Sequence, residues 1–113
     1  MSKSFWALSA AAWALLIFRL TTMPQITTVP DTLLQQIMMS GAHFFFFGTL
    51  AVFTYITFPS RFAALSLASV YGLVIELVQR GIPGRSADPV DWLLDTFGAV
   101  TFLLIIKKLQ YKA

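Results

Sequence analysis

Cysteine is absent from the 113-residue chain, and charged residues make up only 12% of it. Without cysteine, no disulfide framework, thiolate metal site or thiol nucleophile is available. The sequence therefore does not indicate whether the protein's compartment is oxidising or reducing. The chain has eight basic and five acidic residues, which gives a net charge of +3. This charge is too small and too scattered along the chain to form a nucleic-acid-binding surface.

Motifs of the common hydrolase and nucleotide-binding families are missing as well. The sequence has no nucleophilic serine elbow, no glycine-rich phosphate loop and no H-E-x-x-H pattern. One histidine and several carboxylates are present, but as metal ligands they would be spread over three helices and form no local signature. We therefore expect neither a metal nor a cofactor.

Apolar residues are what the chain has in abundance. They account for 58% of it, aromatic residues for 15%, and the mean hydropathy is +0.76. Four apolar runs, at about 5–20, 37–58, 62–78 and 89–106, approach the ~20 residues that a bilayer requires. The sequence thus predicts one domain, residues 1–113, with an all-α fold: an integral membrane bundle of four transmembrane helices. Three runs are short, which suggests a thin hydrocarbon layer or helix ends in a polar pocket.

The basic residues favour one orientation of these helices. If the N-terminus is cytoplasmic, the inner side holds five basic residues (Lys3, Arg61, Lys107, Lys108, Lys112) and the outer side three (Arg19, Arg80, Arg85). Lysine and arginine are enriched in cytoplasmic segments of membrane proteins. We therefore predict a multi-pass protein of the inner, or cytoplasmic, membrane with both termini in the cytoplasm.

Polar residues gather at the outer ends of the helices. In the third helix, small residues recur every fourth position up to Gly72, a pattern that lets membrane helices pack closely, and Glu76 is the next step. In the fourth helix, Asp91, Asp95 and Gly98 share one face. We therefore predict an outward, water-accessible pocket walled by His43, Glu76, Arg80, Arg85, Asp91 and Asp95.

Simpler roles for individual residues remain open at this point. Asp88, Pro89 and Asp91 have the spacing of a helix N-terminus, where carboxylates cap free N–H groups. Glu76 and Arg80 are four residues apart and could form an ion pair within their helix. The tryptophans are expected to face lipid or the membrane interface.

The spacing of the polar residues resembles that of a known family. His43 in the second helix is followed by a glutamate, a glutamine three residues later, a turn with proline and arginine, an aspartate and a glycine (Glu76, Gln79, Pro83, Arg85, Asp91, Gly98). This arrangement is similar to the VanZ-like (teicoplanin-resistance) family. The resemblance implies a small integral membrane protein of the cell envelope and a link to reduced susceptibility to glycopeptide antibiotics.

Three functions are consistent with this pattern. The first is binding of an amphiphile, such as a lipid headgroup, a lipid-linked cell-wall precursor or a glycopeptide, with Gln79, Arg80, Arg85 and Asp95 contacting it. The second is an enzyme that hydrolyses or transfers a group at a lipid headgroup, with His43, Glu76 and Asp91 as catalytic residues. The third is a structural or accessory subunit whose polar cluster only locks the bundle.

Overall fold

The computed structural model describes residues 2–22, 33–82 and 89–112, and in these ranges it contains four α-helices and no strand. They are α1 (Lys3–Thr22), α2 (Leu33–Thr57), α3 (Arg61–Gln79) and α4 (Pro89–Lys112). Each contains a segment long and apolar enough to cross a membrane. The prediction of an all-α bundle of four membrane-spanning helices is confirmed.

The helices are longer than the apolar runs that predicted them. They comprise 20, 25, 19 and 24 residues, so α2 and α4 exceed the ~20 residues that a bilayer requires, whereas α1 and α3 just meet it. Hydropathy ended α1 and α4 too early because polar residues, such as Thr21 at the end of α1 and Lys107 near the end of α4, continue these helices. In lipid a helix satisfies its own backbone hydrogen bonds, which favours continuing it through such residues.

A short connection, residues 58–60, joins α2 to α3, and local hydrogen bonds mark both ends of α3. Ser60 precedes α3 and caps it, because its side-chain oxygen accepts a hydrogen bond from the backbone N–H of Ala63 at 3.2 Å. At the other end of α3, the N–H of Gly81 donates to the carbonyl of Val78 at 3.1 Å and closes the last turn. Pro89 begins α4, at the position where a missing N–H costs no helical hydrogen bond.

Helix α2 is central and contacts the other three, most extensively α4. Helix α1 lies at the periphery against α2 and α3, and Ile17 is its single buried residue among those described. Most of the large apolar side chains of α1 are exposed, as expected for a surface surrounded by lipid.

The interior consists of two clusters of buried apolar residues. One is made mainly of small side chains where α2, α3 and α4 meet: Ala51, Ala64, Ala68, Ala99 and Leu103. The other is made of larger side chains and joins α1, α2 and α3: Ile17, Phe47, Leu50 and Ile75. Small residues allow the helix backbones to approach one another, which stabilises helix pairs in a membrane.

Candidate functional site

The centre of the polar site is a hydrogen bond between two buried side chains on α2 and α4. Nδ1 of His43 lies 2.7 Å from Oδ1 of Asp95, and the two residues are 7% and 0% exposed. When Asp95 is ionised it can only accept, and Nδ1 is then the donor of this hydrogen bond. Below this pair, the fully buried ring of Phe47 lies parallel to the imidazole, with ring centroids 6.3 Å apart.

Two glycines, Gly72 and Gly98, leave the space that the pair of His43 and Asp95 needs. A Cβ atom on Gly72 of α3 would lie 2.8 Å from Oδ2 of Asp95, so the carboxylate occupies the space that a side chain there would take. A Cβ atom on Gly98 of α4 would overlap the backbone carbonyl of Phe44 on α2. Without a side chain at Gly98, α4 lies close enough to α2 for Asp95 to reach His43, and Gly72 of α3 leaves the space that the carboxylate occupies.

Asp91 lies one turn before Asp95, on the accessible side of the site. Its side chain is 29% exposed, and its Oδ2 atom is 3.9 Å from Nε2 of His43. This distance is too long for a hydrogen bond but allows an ion pair when the imidazole is protonated. The two edges of the imidazole thus face two different carboxylates, one fully buried and one partly exposed.

Glu76 and Gln79 on α3 complete the buried polar group. Glu76 is 5% exposed and close enough to His43 to interact with it electrostatically. Nε2 of Gln79 donates a hydrogen bond of 2.8 Å to the backbone carbonyl of Thr21, and so ties the end of α3 to the end of α1. Its Oε1 atom is buried and has no hydrogen-bond partner among the described residues.

The predicted arginines are placed differently. Arg80 is exposed at the end of α3, and among the described residues no ion pair joins it to Glu76. The alternative of an ion pair within α3 is therefore not supported. Arg85 and Asp88 lie outside the described residues. Of the predicted walls, His43, Glu76, Asp91 and Asp95 come together, whereas Arg80 is exposed.

A family model, VanZ/LLP1, matches residues 2–110, which is nearly the whole chain. The chain belongs to the VanZ/LLP1 family. Neither the curated proteins nor the solved structures give a significant match. Membership confirms the resemblance that the spacing of His43, Glu76 and Gln79 suggested, and with the four apolar helices it makes the chain a multi-pass membrane protein of this family.

This family member shows no geometry for a metal in the part of the chain that is described. No three or more of its histidine and carboxylate side chains are arranged to hold an ion there. Asp95 directs one oxygen at His43 and the other at Gly72, so its ligand positions are turned inward. The arrangement that is described supports hydrogen bonding, ion pairing and proton exchange at the imidazole of His43.

Several hydrogen bonds between helices were not anticipated from the sequence. The indole N–H of Trp13 donates to the carbonyl of Phe46 at 2.9 Å, and that of Trp92 to the carbonyl of Ser69 at 3.0 Å. Both indoles are only partly buried, so they can also face lipid or the interface, but they direct their N–H groups inward. Trp13 lies near the middle of α1, where no water is available to its N–H, and that depth was the signal for an internal partner.

Two apolar hollows lie away from the polar site, along α1 and α3. They have volumes of about 220 Å³ and 570 Å³ and share Ala14 and Leu67 in their walls. The smaller is lined on one side by alanines of α1, and none of the predicted site residues lines either hollow. Their walls are mostly apolar, with Thr54 and Thr57 in the smaller hollow and Ser66 and Tyr71 in the larger.

Proposed function

We propose that this VanZ/LLP1 protein binds an amphiphilic ligand of the cell envelope through the polar site around His43. The ligand class includes lipid headgroups, lipid-linked cell-wall precursors and glycopeptides. Its polar part contacts Asp91 and Nε2 of His43 at the accessible side of the site, and its apolar part stays in the surrounding lipid. Under this proposal a role in reduced susceptibility to glycopeptide antibiotics would follow from binding at the outer leaflet.

The observation that carries the proposal is the buried pair of His43 and Asp95 inside membrane-spanning segments. An ionisable side chain within a membrane helix costs about 2.5 to 3.5 kcal/mol at the helix centre, and by default it marks a functional site. The two clusters of apolar residues already pack the bundle without this pair. A buried polar pair next to one partly exposed carboxylate supports a role in recognition.

Access to the site favours a ligand that arrives from the membrane surface. Asp91 lies in the first turn of α4, and Glu76 and Gln79 lie in the last turn of α3, so the site is near one end of the bundle. The headgroup of a lipid lies at this depth while its chains remain in the hydrocarbon layer. Amphiphiles therefore meet the site with their polar end first.

Native mass spectrometry of the protein released from gently solubilised membranes tests the proposal. We expect the wild-type chain to retain an amphiphile and the Asp91→Asn variant to lose most of it, because the exposed carboxylate is removed while the buried pair stays intact. Thr49→Val is the matched control, since Thr49 lies on α2 and donates its hydroxyl to the carbonyl of its own helix at Phe45. Equal retention by wild type and Asp91→Asn would contradict the proposal.

A second candidate, an enzyme acting on a lipid headgroup, is favoured by the orientation of the imidazole. If an ionised Asp95 holds the proton on Nδ1, a neutral His43 has its lone pair on Nε2, the arrangement of a histidine that serves as a general base. Turnover of such a headgroup would disappear in His43→Gln while the variant stays folded and binds ligand. Binding without any turnover in the wild type would leave the binding function alone.

A further inference from the structure

At the end of the bundle away from the polar site, a basic side chain lies beside an apolar hollow. Nζ of Lys3, the first residue of α1, is 5.5 Å from the centre of the Phe58 ring, directly after α2. Phe58 also lines the smaller hollow, which has a volume of about 220 Å³. A single aromatic ring therefore connects the ammonium group of Lys3 with the apolar space below it.

The walls of this hollow suit an apolar occupant better than water. Thr54 and Thr57 of α2 line it, and each hydroxyl donates its proton to a carbonyl of its own helix at 2.9 Å. A buried water needs two to four polar partners, and these hydroxyls have no proton left to offer one. The wall on α1 consists of four alanines: Ala7, Ala10, Ala11 and Ala14.

The two hollows together are as long as one lipid leaflet is thick. The larger hollow shares Ala14 and Leu67 with the smaller one and extends to Val74 of α3. Between Arg61 and Val74, α3 rises by about 20 Å. One leaflet of the hydrocarbon core is about 15 Å thick, so a lipid acyl chain can lie along both hollows.

Charge at this end of the bundle favours an anionic headgroup. The basic residues here whose side chains the structure describes are all exposed: Lys3, Arg61, Lys107 and Lys108. In the described ranges none of them forms an ion pair with a carboxylate. The three described carboxylates belong to the polar site at the opposite end. Clusters of lysine and arginine at a membrane surface attract anionic lipids.

The ammonium group of Lys3 is equipped to bind a phosphate group. Its contact with Phe58 uses the face of the ring, while an ammonium group has three N–H donors that can be directed at other acceptors. Phosphate oxygens accept charge-assisted hydrogen bonds, which are roughly twice as strong as neutral ones. A phosphate at Lys3 would lie at the membrane surface, with the chain of the same lipid beside Phe58.

We propose that this end of the bundle binds an anionic phospholipid, with its phosphate on Lys3 and one acyl chain in the hollow between α1, α2 and α3. This lipid site is distinct from the polar site around His43 and does not rest on the function proposed for that site. Phe58 positions the ammonium group of Lys3 over the end of the hollow.

Lipids that differ in headgroup charge test the phosphate contact. The purified full-length protein is titrated in detergent with phosphatidylglycerol or with phosphatidylcholine of the same acyl chains, and native mass spectrometry gives the apparent Kd. We expect phosphatidylglycerol to bind at least about fivefold more tightly, and Lys3→Gln to weaken its binding about fivefold. Lys107→Gln, the same change on α4, which does not line the hollow, should weaken it less than about twofold.

Two neighbouring alanines of α1 test the position of the acyl chain. Ala11 and Ala12 are both exposed, but only Ala11 lines the hollow. We expect Ala11→Leu to weaken binding of phosphatidylglycerol at least about fivefold, because the added carbon atoms occupy the space of the chain. Ala12→Leu should bind as the wild type does, and circular dichroism checks that both variants keep their helices.

Four outcomes would overturn the proposal. Equal affinity for the two lipids, or equal losses in Lys3→Gln and Lys107→Gln, would attribute binding to diffuse surface charge or to chain length. Unchanged binding in Ala11→Leu would remove the acyl chain from the hollow. A dimer that is lost in Ala11→Leu would place a second copy of the chain there. Displacement of phosphatidylglycerol by an equal concentration of soluble glycerol phosphate would show that the phosphate alone is the ligand.

Discussion

His43 and Asp95 illustrate how one side chain can determine the behaviour of another inside a membrane. Each would be costly to bury alone, and each has the other as its partner at 2.7 Å. Periodicity from Ala64 to Gly72 predicted that Glu76 faces the bundle, and Glu76 is indeed buried. Periodicity could not show that Asp95 is fully enclosed while Asp91 is partly exposed, because that difference depends on how α4 is rotated against α2 and α3.

Replacement of the buried pair one residue at a time tests its energetic role. We expect His43→Leu and Asp95→Leu each to destabilise the protein by about 3 kcal/mol, because each leaves a buried polar group without its partner. The double variant should be less destabilised than the sum of the two, since it removes both groups. Unfolding in mixed micelles gives the three free energies.

This double-mutant cycle also separates recognition from a purely structural role. A double variant that folds well but no longer retains an amphiphile agrees with the proposed function. If the double variant is as unstable as both single changes added together, the pair contributes no mutual stabilisation and the 2.7 Å contact is not a coupled pair.

At the scale of the helices, close approach depends on where side chains are missing. Gly98 adjoins the backbone of Phe44, and Gly48 adjoins the ring of Phe102, so α2 and α4 contact each other through two glycines. The sequence predicted Gly98 on a packed face from its spacing to Asp91 and Asp95. The start of α2 was predicted less accurately. The apolar run begins at about residue 37, after the polar residues Gln35 and Gln36, whereas α2 begins at Leu33.

Gly98→Ala and Gly41→Ala form a matched pair that tests this close approach. A methyl group on Gly98 would overlap the carbonyl of Phe44, so we expect a loss of about 1 to 3 kcal/mol in the free energy of unfolding. At Gly41, on the exposed side of α2, no atom lies within 4 Å, and alanine should be neutral or stabilising by up to about 1 kcal/mol. Similar unfolding midpoints for both variants would show that α2 and α4 can separate without cost.

At the scale of the whole molecule, the polar site lies at one end of the bundle, and its function depends on which side of the membrane that end faces. The site lies where α1 and α3 end and α2 and α4 begin. The hydrogen bond from Gln79 to Thr21 joins the ends of α3 and α1, and the pair of His43 and Asp95 joins the first halves of α2 and α4. Four spans place both termini on the opposite side. The site is therefore outward if the N-terminus is cytoplasmic, as the distribution of lysines favours.

Single cysteines test this orientation cleanly because the natural chain has none. Pro59→Cys lies in the exposed turn between α2 and α3, and Gly81→Cys lies in the exposed turn after α3, where an added Cβ meets only the carbonyl of Val78 at 3.8 Å. In intact cells we expect a membrane-impermeant maleimide to label Gly81→Cys at once and Pro59→Cys only after permeabilisation. The opposite pattern would place the site on the cytoplasmic side, where an envelope ligand in the outer leaflet could not reach Asp91.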